Sequence, residues 1–382
     1  MNTALIDKVK KSFVNKFQSE PLMIFSPGRI NIIGEHTDYN DGFVFPAAVD
    51  KGIIAAIQKN DAKTSTAYAI DMNESITFEL DKLKPSSVGS WENYVLGVVA
   101  EIQNRNKVIQ NFNIAFSGDI PAGSGMSSSA ALENSVVFGL NELFNLGLSK
   151  TEMILISQKA EHNYVGVNCG IMDQYASMFG IENNALLLDC RTVEAKPFKI
   201  NFNEHELILI NTNVKHSLSD SAYNDRRSAC ENIASLLGIK ALRDASEADL
   251  LKIKAQVTPE NYQKALYVIQ ENNRAIQASQ AILDDDLEIL GALIYDSHEG
   301  LSKQYKVSCD ELDFLVQQAK LNKQILGARM MGGGFGGCTI NLIEKTETAS
   351  FKIFISEAYK NKFGTDCSIY SVKLSNGTHL IK

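Results

Sequence analysis

Residues 26–46, SPGRINIIGEHTDYNDGFVFP, decide how the rest of the chain is read. Arg29, Glu35, His36 and Asp38 fall within ten residues of one another, spaced by Ile30, Ile32 and Ile33. The apolar positions predict a strand, and Gly34, free to take φ > 0, predicts a sharp turn at its end. That turn would present Glu35, His36 and Asp38 together at the end of a sheet. One carboxylate can accept two hydroxyl hydrogen bonds, so two of them beside an imidazole suit a polyol better than an apolar ligand. A solvated turn, in which Asp38, Asn40 and Asp41 only stabilise the backbone, would use the same residues. The stretch alone leaves both readings open.

Outward from it, the chain reads as alternating helices and strands. Leu5, Val9, Phe13 and Phe17 have helical spacing over residues 4–18. Strands are expected at 22–33, 43–58, 65–80 and 111–118, and helices at 91–104 and 128–144. Ser149, with Glu152 three residues on, has the form of a capping box. Residues 185–189 and 206–211 read as buried strands, and 221–237 and most of 244–322 as helices, with Gly238 and Gly327 as C-terminal caps. A helix near 346–361 and a strand near 367–373 close the chain. The shift from strand-rich to helix-rich sequence near residue 200 divides it into an N-terminal domain, 1–203, and a C-terminal domain, 204–382.

At 382 residues, 45% apolar and 21% charged, the chain has the composition of a soluble globular enzyme with room for two cores. A net charge of −8 excludes a general nucleic-acid-binding surface, which needs a basic stripe. It leaves room for an anion bound by local backbone dipoles. No run approaches the roughly 20 apolar residues of a membrane helix, and the N-terminus lacks the form of a signal peptide. The six cysteines are scattered without a Cys-x-x-Cys pair, which fits reduced thiols in the cytoplasm.

Two further stretches carry chemistry. In GDIPAGSGMSSSAALE, residues 118–133, Gly123 and Gly125 permit a tight loop before a helix that opens on Ser127, Ser128 and Ser129. Unpaired amides and the macrodipole at such a helix start can hold phosphate without a lysine. The loop is not a Walker sequence, and one serine would suffice as a cap. In GARMMGGGFGGCTINLI, residues 327–343, five glycines surround Phe335. So many glycines are entropically costly unless backbone must lie against a ligand or against the other loop. Asp173 sits among Ile171, Met172, Tyr175 and Met178, where a carboxylate needs a partner, and Arg29 is the natural one.

Together these stretches resemble the GHMP kinases, and within that superfamily the galactokinases. PGRINIIGEHTDYNDGFVFP is similar to the galactokinase signature nearly letter for letter, PAGSGMSSSAALE to the superfamily's phosphate loop, and GARMMGGGFGGC to its third motif. WENYVLGV, MDQYAS, SAYNDRR and DSHEGLSKQYKVSCDELD follow in galactokinase order, so the resemblance spans nearly the whole chain. It implies an α+β, two-lobed fold with the active site between N- and C-terminal domains. It implies ATP-dependent phosphorylation of α-D-galactose at the C1 hydroxyl, giving α-D-galactose 1-phosphate and ADP, the first committed step of galactose catabolism.

The residues that the resemblance implies are Asp173 and Arg29 for catalysis, and Glu35, His36, Thr37, Asp38 and Tyr223 for the sugar. Gly123, Ser124, Gly125, Met126, Ser127, Ser128 and Ser129 would hold ATP, with Ser129 and Glu161 on Mg2+. Ser26 and Met126 stand where alanine and leucine are usual, and neither change removes a functional group. Galactose and ATP are the partners expected of a cytoplasmic monomer that binds neither nucleic acid nor membrane. A related sugar-1-kinase acting on N-acetylgalactosamine or arabinose shares these motifs. So does a non-catalytic galactose and ATP sensor, although such sensors lose residues in the serine–alanine stretch that is intact here at 127–131.

Overall fold

The computed structural model describes residues 2–215 and 219–382, with side chains described within 2–214 and 224–382. The first helix forms as α1 (Thr3–Phe17), capped by the Asn2 side chain and buried through Leu5, Val9 and Phe13. There follow β1 (Leu22–Asn31), the short β2 (Phe43–Val44), the long β3 (Pro46–Lys59), and β4 (Ser65–Ala69) paired with β5 (Glu74–Phe78). The strand expected over 65–80 is therefore a hairpin, turned with Asn73 at φ 54°. Next come α2 (Glu92–Asn104), β6 (Phe112–Gly118), α3 (Ser128–Phe144), α4 (Lys150–Ala160), α5 (Met172–Phe179), β7 (Asn184–Asp189) and β8 (Glu194–Lys199). Ser149 and Glu152 close the expected capping box on α4.

The second half runs β9 (His205–Lys215), α6 (Ser219–Leu237), α7 (Glu247–Lys252), α8 (Pro259–Leu283), α9 (Leu287–Glu299), α10 (Asp310–Lys320), β10 (Ile325–Met331) and β11 (Gly336–Glu344). It ends with α11 (Thr348–Phe363), β12 (Ser368–Ser371) and β13 (His379–Leu380). Gly238, at φ 66°, follows the last residue of α6 as expected of a cap. Gly327 does not cap a helix. It lies inside β10, where a Cβ would stand 2.6 Å from the Gly291 carbonyl oxygen, so glycine there lets α9 approach the strand.

Among the described residues the strands form three sheets: six in the order β13-β1-β3-β6-β4-β5, four in the order β10-β11-β9-β12, and three in the order β2-β7-β8. Alternation along the strands sorts the first lobe into two faces. Phe25, Ile54, Ala56 and Ala115 meet α1, whereas Ile24, Ala55, Ile57 and Ile114 join the core with α2, α3, α4 and α5. In the second lobe Ile208 and Ile210 face α10 and α11, while Leu207 and Leu209 face the other way.

That last face is where the lobes join. Ile30, Ile32 and Ile33, the apolar residues of the opening stretch, are buried with Leu209, Ile340 and Leu290 in one continuous core. The strand that supplies the polar residues is thus anchored between lobes by the residues that separate them. The chain then closes on itself. Ile24 and Phe25 pair with Leu380 and His379, and Ser26 Oγ lies 2.9 Å from Thr378 Oγ1.

Candidate active site

At the end of β1 the backbone turns at Gly34, φ 92°, and a Cβ there would stand 2.7 Å from the Phe43 carbonyl oxygen. The next residues enter a cavity of about 150 Å³ lined by Arg29, Glu35, His36, Asp38, Glu161 and Asp173, among others. The predicted turn thus forms and gathers the predicted polar groups. Asp38 lies against Gly170, where any Cβ would collide with its carboxylate. Burial pushes the Asp38 carboxyl up to about 7, with Asp173 and Glu35 adding. His36 is held neutral, its pKa lowered to about 3 chiefly by burial, and its Nδ1 lies 2.7 Å from the Tyr39 hydroxyl.

Thr37 departs from expectation. It does not line the cavity; its buried hydroxyl lies 2.8 Å from the Gly34 carbonyl and 2.7 Å from that of Phe43, stapling the loop shut. Tyr223 belongs to α6, and its side chain lies outside the described residues.

Arg29 meets Asp173 as anticipated, through two parallel bonds. Nε donates to Oδ1 and Nη2 to Oδ2, each at 2.7 Å, in the fork geometry that makes such pairs strong. Burial opposes the charge on Arg29, but Asp173, with Glu35 and Asp38 behind it, outweighs this and holds the guanidinium above its ordinary pKa. Asp173 is presented by the first turn of α5. Arg29 also reaches the glycine–serine loop: its Nη1 donates to the Gly125 carbonyl and its amide to the Met126 carbonyl at 3.0 Å. One residue therefore ties the cavity to that loop.

The loop ends on Ser127 at φ 57°, directly before α3, and among the described residues the Ser127 side chain makes no cap hydrogen bond to the helix. Its first-turn amides are thus free to take an anion. The Ser124 and Ser127 hydroxyl oxygens are buried without a hydrogen-bond partner among the described residues, which fits a ligand rich in acceptors. Ser128 is exposed, and Met126 sends its side chain into the core between the lobes, leaving its backbone at the site. The second glycine run packs on the first, backbone to backbone. A Cβ on Gly125 would stand 3.1 Å from the Met331 carbonyl oxygen, and one on Gly337 would stand 3.3 Å from that of Gly123.

Beyond Asp173 lie two more buried carboxylates. Glu161 accepts from Gln174 Nε2 at 2.7 Å and from the Cys169 thiol, and is hydrogen-bonded to Ser129. Burial and Asp173 push its carboxyl up to about 7, and burial with Glu161 raises that of Glu133 well above the ordinary range. Burial and mutual repulsion thus disfavour charge on Glu161 and Glu133, and a divalent cation beside them would favour their ionised forms. No group of three or more acidic, His or Cys side chains suited to a metal occurs among the described residues. A cation here would draw on one hydroxyl and one carboxylate, with phosphate and water completing its shell, which is the habit of magnesium rather than of zinc.

Several contributors were not among the predicted site residues, although Gly333 belongs to the glycine run expected to lie against a ligand or the other loop. Arg329 is fully buried and donates to Glu35 at 2.7 Å. Glu271 accepts from the amides of Gly34 and Glu35. Gly170 and Gly333 form walls of the cavity. Arg329, an arginine in an otherwise apolar strand, was the one of these that the pattern could have flagged.

Three family descriptions match the chain: "Galactokinase galactose-binding signature" over residues 11–59, "GHMP kinases N terminal domain" over 93–181 and "GHMP kinases C terminal" over 278–360. A galactokinase of Glaesserella parasuis is 40% identical over 364 residues, 94% of each chain. One from Thermotoga petrophila is 38% identical over 94% of this chain and 100% of its own. The crystal structure of Lactococcus lactis galactokinase complexed with galactose superposes with a TM-score of 0.94 at 32% identity, covering 98% of this chain and 99% of that one. Methanococcus jannaschii mevalonate kinase, 18% identical with a TM-score of 0.64 over 94% of this chain and 100% of its own, shares the fold.

Proposed function

The chain belongs to the galactokinase family of the GHMP kinases, and from that premise we propose that it transfers the γ-phosphoryl group of ATP to the C1 hydroxyl of α-D-galactose, giving α-D-galactose 1-phosphate and ADP. The observation that carries the reading is Arg29, bonded bidentately to Asp173 at the cavity and to the Gly125 carbonyl on the loop. A sugar hydroxyl in the cavity and a phosphate on the loop would meet at this pair.

Phosphoryl transfer passes through a loose transition state and depends on positioning and charge stabilisation. Glu35, His36 and Asp38 bind the sugar hydroxyls: Asp38 and Glu35 accept, and neutral His36 contributes a ring nitrogen as well as shape. Asp173 orients the C1 hydroxyl and takes its proton as the bond to phosphorus forms. Arg29 offsets the charge that spreads over the transferring oxygens. The loop of Gly123, Ser124, Gly125, Met126, Ser127, Ser128 and Ser129, with the first amides of α3, holds the phosphates of ATP. The resemblance to galactokinases assigns Tyr223 to the sugar as well.

Ser129 and Glu161 are the residues that would hold magnesium, which when bound supplies positive charge to the β- and γ-phosphates. The protein acts as a monomer, its six thiols unpaired as in the reducing cytoplasm. Its lobes divide between residues 203 and 204, with the last strand returning to the first lobe.

The test is ADP release from Mg-ATP with galactose, 2-deoxygalactose, N-acetylgalactosamine, glucose and arabinose. Galactose should be preferred, with phosphate appearing at C1. Turnover with a different sugar alone would keep the chemistry and move the substrate. Galactose and ATP binding without any turnover would refute catalysis and favour a sensor. Asp173→Ala should abolish turnover and retain nucleotide binding; retained turnover would remove Asp173 from the mechanism.

A further inference from the structure

The loop that carries Glu35, His36 and Asp38 is held from outside by one helix of the other lobe. A chain leaving a sheet at Gly34 exposes amides that need acceptors. The amides of Gly34 and Glu35 donate to Glu271 Oε1, at 2.9 Å and 3.3 Å. Glu271 lies in the middle of α8 and is fully buried. The same oxygen accepts from Ser297 Oγ on α9 at 2.6 Å, and the other carboxylate oxygen accepts from Arg274 Nε, also at 2.6 Å. Nearby residues of α8 hold the rest of the loop. Tyr267 donates its hydroxyl to the Glu35 carbonyl at 3.0 Å, and Asn272 Oδ1 accepts from the Phe43 amide at 2.8 Å, at the loop's far end.

We propose that Glu271 is a positioning residue for sugar binding: its carboxylate fixes the backbone of Gly34 and Glu35 and so aims Glu35 and His36 into the cavity. This rests on the reading that the loop binds galactose. Glu271 itself does not line the cavity, so its effect on the sugar passes through the loop. Its two oxygens have separate tasks. Oε1 holds the loop, while Oε2 accepts from Arg274 Nε on the same helix. Burial opposes the charge on Arg274, and Glu271 more than offsets it.

The division of tasks makes the proposal testable with two variants. Glu271→Gln removes the negative charge that the loop amides donate to, and should raise the galactose Kd by about tenfold or more, the scale of one charge-assisted hydrogen bond. The ATP Kd should stay within about twofold. Arg274→Gln leaves Oε1 and its three donors in place, so it should lower the melting temperature while the galactose Kd changes by less than about threefold. Ser297→Ala, which removes one donor and buries nothing larger, should weaken galactose by about two- to threefold and serves if Glu271→Gln does not fold.

Binding is read by calorimetry on purified full-length protein, with melting temperature alongside. An unchanged galactose Kd in Glu271→Gln, or in Ser297→Ala where that variant stands in, overturns the proposal. So does an equal loss of galactose and ATP affinity, because a general loosening of the fold would move both. Asp38→Asn separates this from the underlying reading. If Asp38→Asn also leaves galactose binding intact, the loop is not the sugar site; if it weakens binding and Glu271→Gln does not, only the positioning role fails.

Discussion

Arg329 reaches Glu35 across the boundary between the lobes, its Nη1 donating to Oε2 at 2.7 Å with both side chains buried. The same guanidinium donates through Nη2 to the Asn31 carbonyl and through Nε to that of Ile32 at 2.9 Å. The strand before the loop and the first polar residue of the loop are therefore held by one side chain from β10.

Arg329→Met would leave the Glu35 carboxylate buried without its cation. Removal of one partner from such a pair costs about 3–5 kcal/mol. The melting temperature should fall by roughly 4–6 °C, and galactose should bind more weakly. Adding Glu35→Gln should recover part of the lost stability but none of the sugar affinity. Additive losses in the double variant would show that the pair is not coupled.

Asp173→Asn keeps the shape of the side chain and its place beside Arg29, but removes the proton acceptor. Steady-state kinetics should show kcat reduced by about 10²–10⁴, the range for loss of a general base. The KM values for galactose and ATP should stay within about threefold. A reduction in kcat below about tenfold would make Asp173 an orienting group and not the base.

The Asp38 carboxyl, pushed up to about 7 by burial, Asp173 and Glu35, titrates near 3.9 in an unfolded chain. Between those values the folded protein keeps a proton that the unfolded chain has released, so this group's contribution to stability falls as pH rises from about 4 through about 7. Asp38→Asn should therefore lose less stability than the wild type between pH 5 and 8, as read by thermal melts. Galactose hydroxyls donate to the ionised carboxylate, so galactose should bind more tightly as pH rises through about 7. Calorimetry near pH 6.5 in buffers of different ionisation enthalpy should register proton release on binding; equal heats in all buffers would contradict it.

Gly170→Ala places a methyl group where the Asp38 carboxylate lies. Asp38 must shift out of the cavity wall, and galactose affinity should drop by about tenfold or more, the scale of one displaced charged hydrogen bond. ATP affinity should hold, because the phosphate loop does not touch this wall. The two constants, measured separately, decide it.

The turn at Gly34, the pairing of Arg29 with Asp173 and the meeting of two glycine loops were all legible in the sequence, because each follows from local backbone freedom or from a charge in need of a partner. Thr37 was not. A threonine inside a polar run reads as a ligand-binding hydroxyl, yet here the backbone carbonyls of Gly34 and Phe43 compete for it and win. Glu271 escaped because its partners lie more than 230 residues away in sequence, a separation that no periodicity reports; Arg329 stands out in an apolar strand, but its partner Glu35 does not follow from that. β8 was hidden by its charged, exposed positions and its proline, the marks of an edge strand. β13, two residues long, has no pattern to read.

The return of β13 to β1 has a consequence for the order in which the protein can be made. The edge of the first sheet is completed by residues near 380, which leave the ribosome some 350 residues after the strand they cover. Throughout translation of the second lobe, β1 presents unpaired amides and carbonyls beside Ile24 and Phe25. The nascent first lobe is therefore a partly open template, protected only once His379 and Leu380 have been made. Deleting His379 and Leu380 would touch none of the residues proposed for catalysis and still return the folded protein to that vulnerable state.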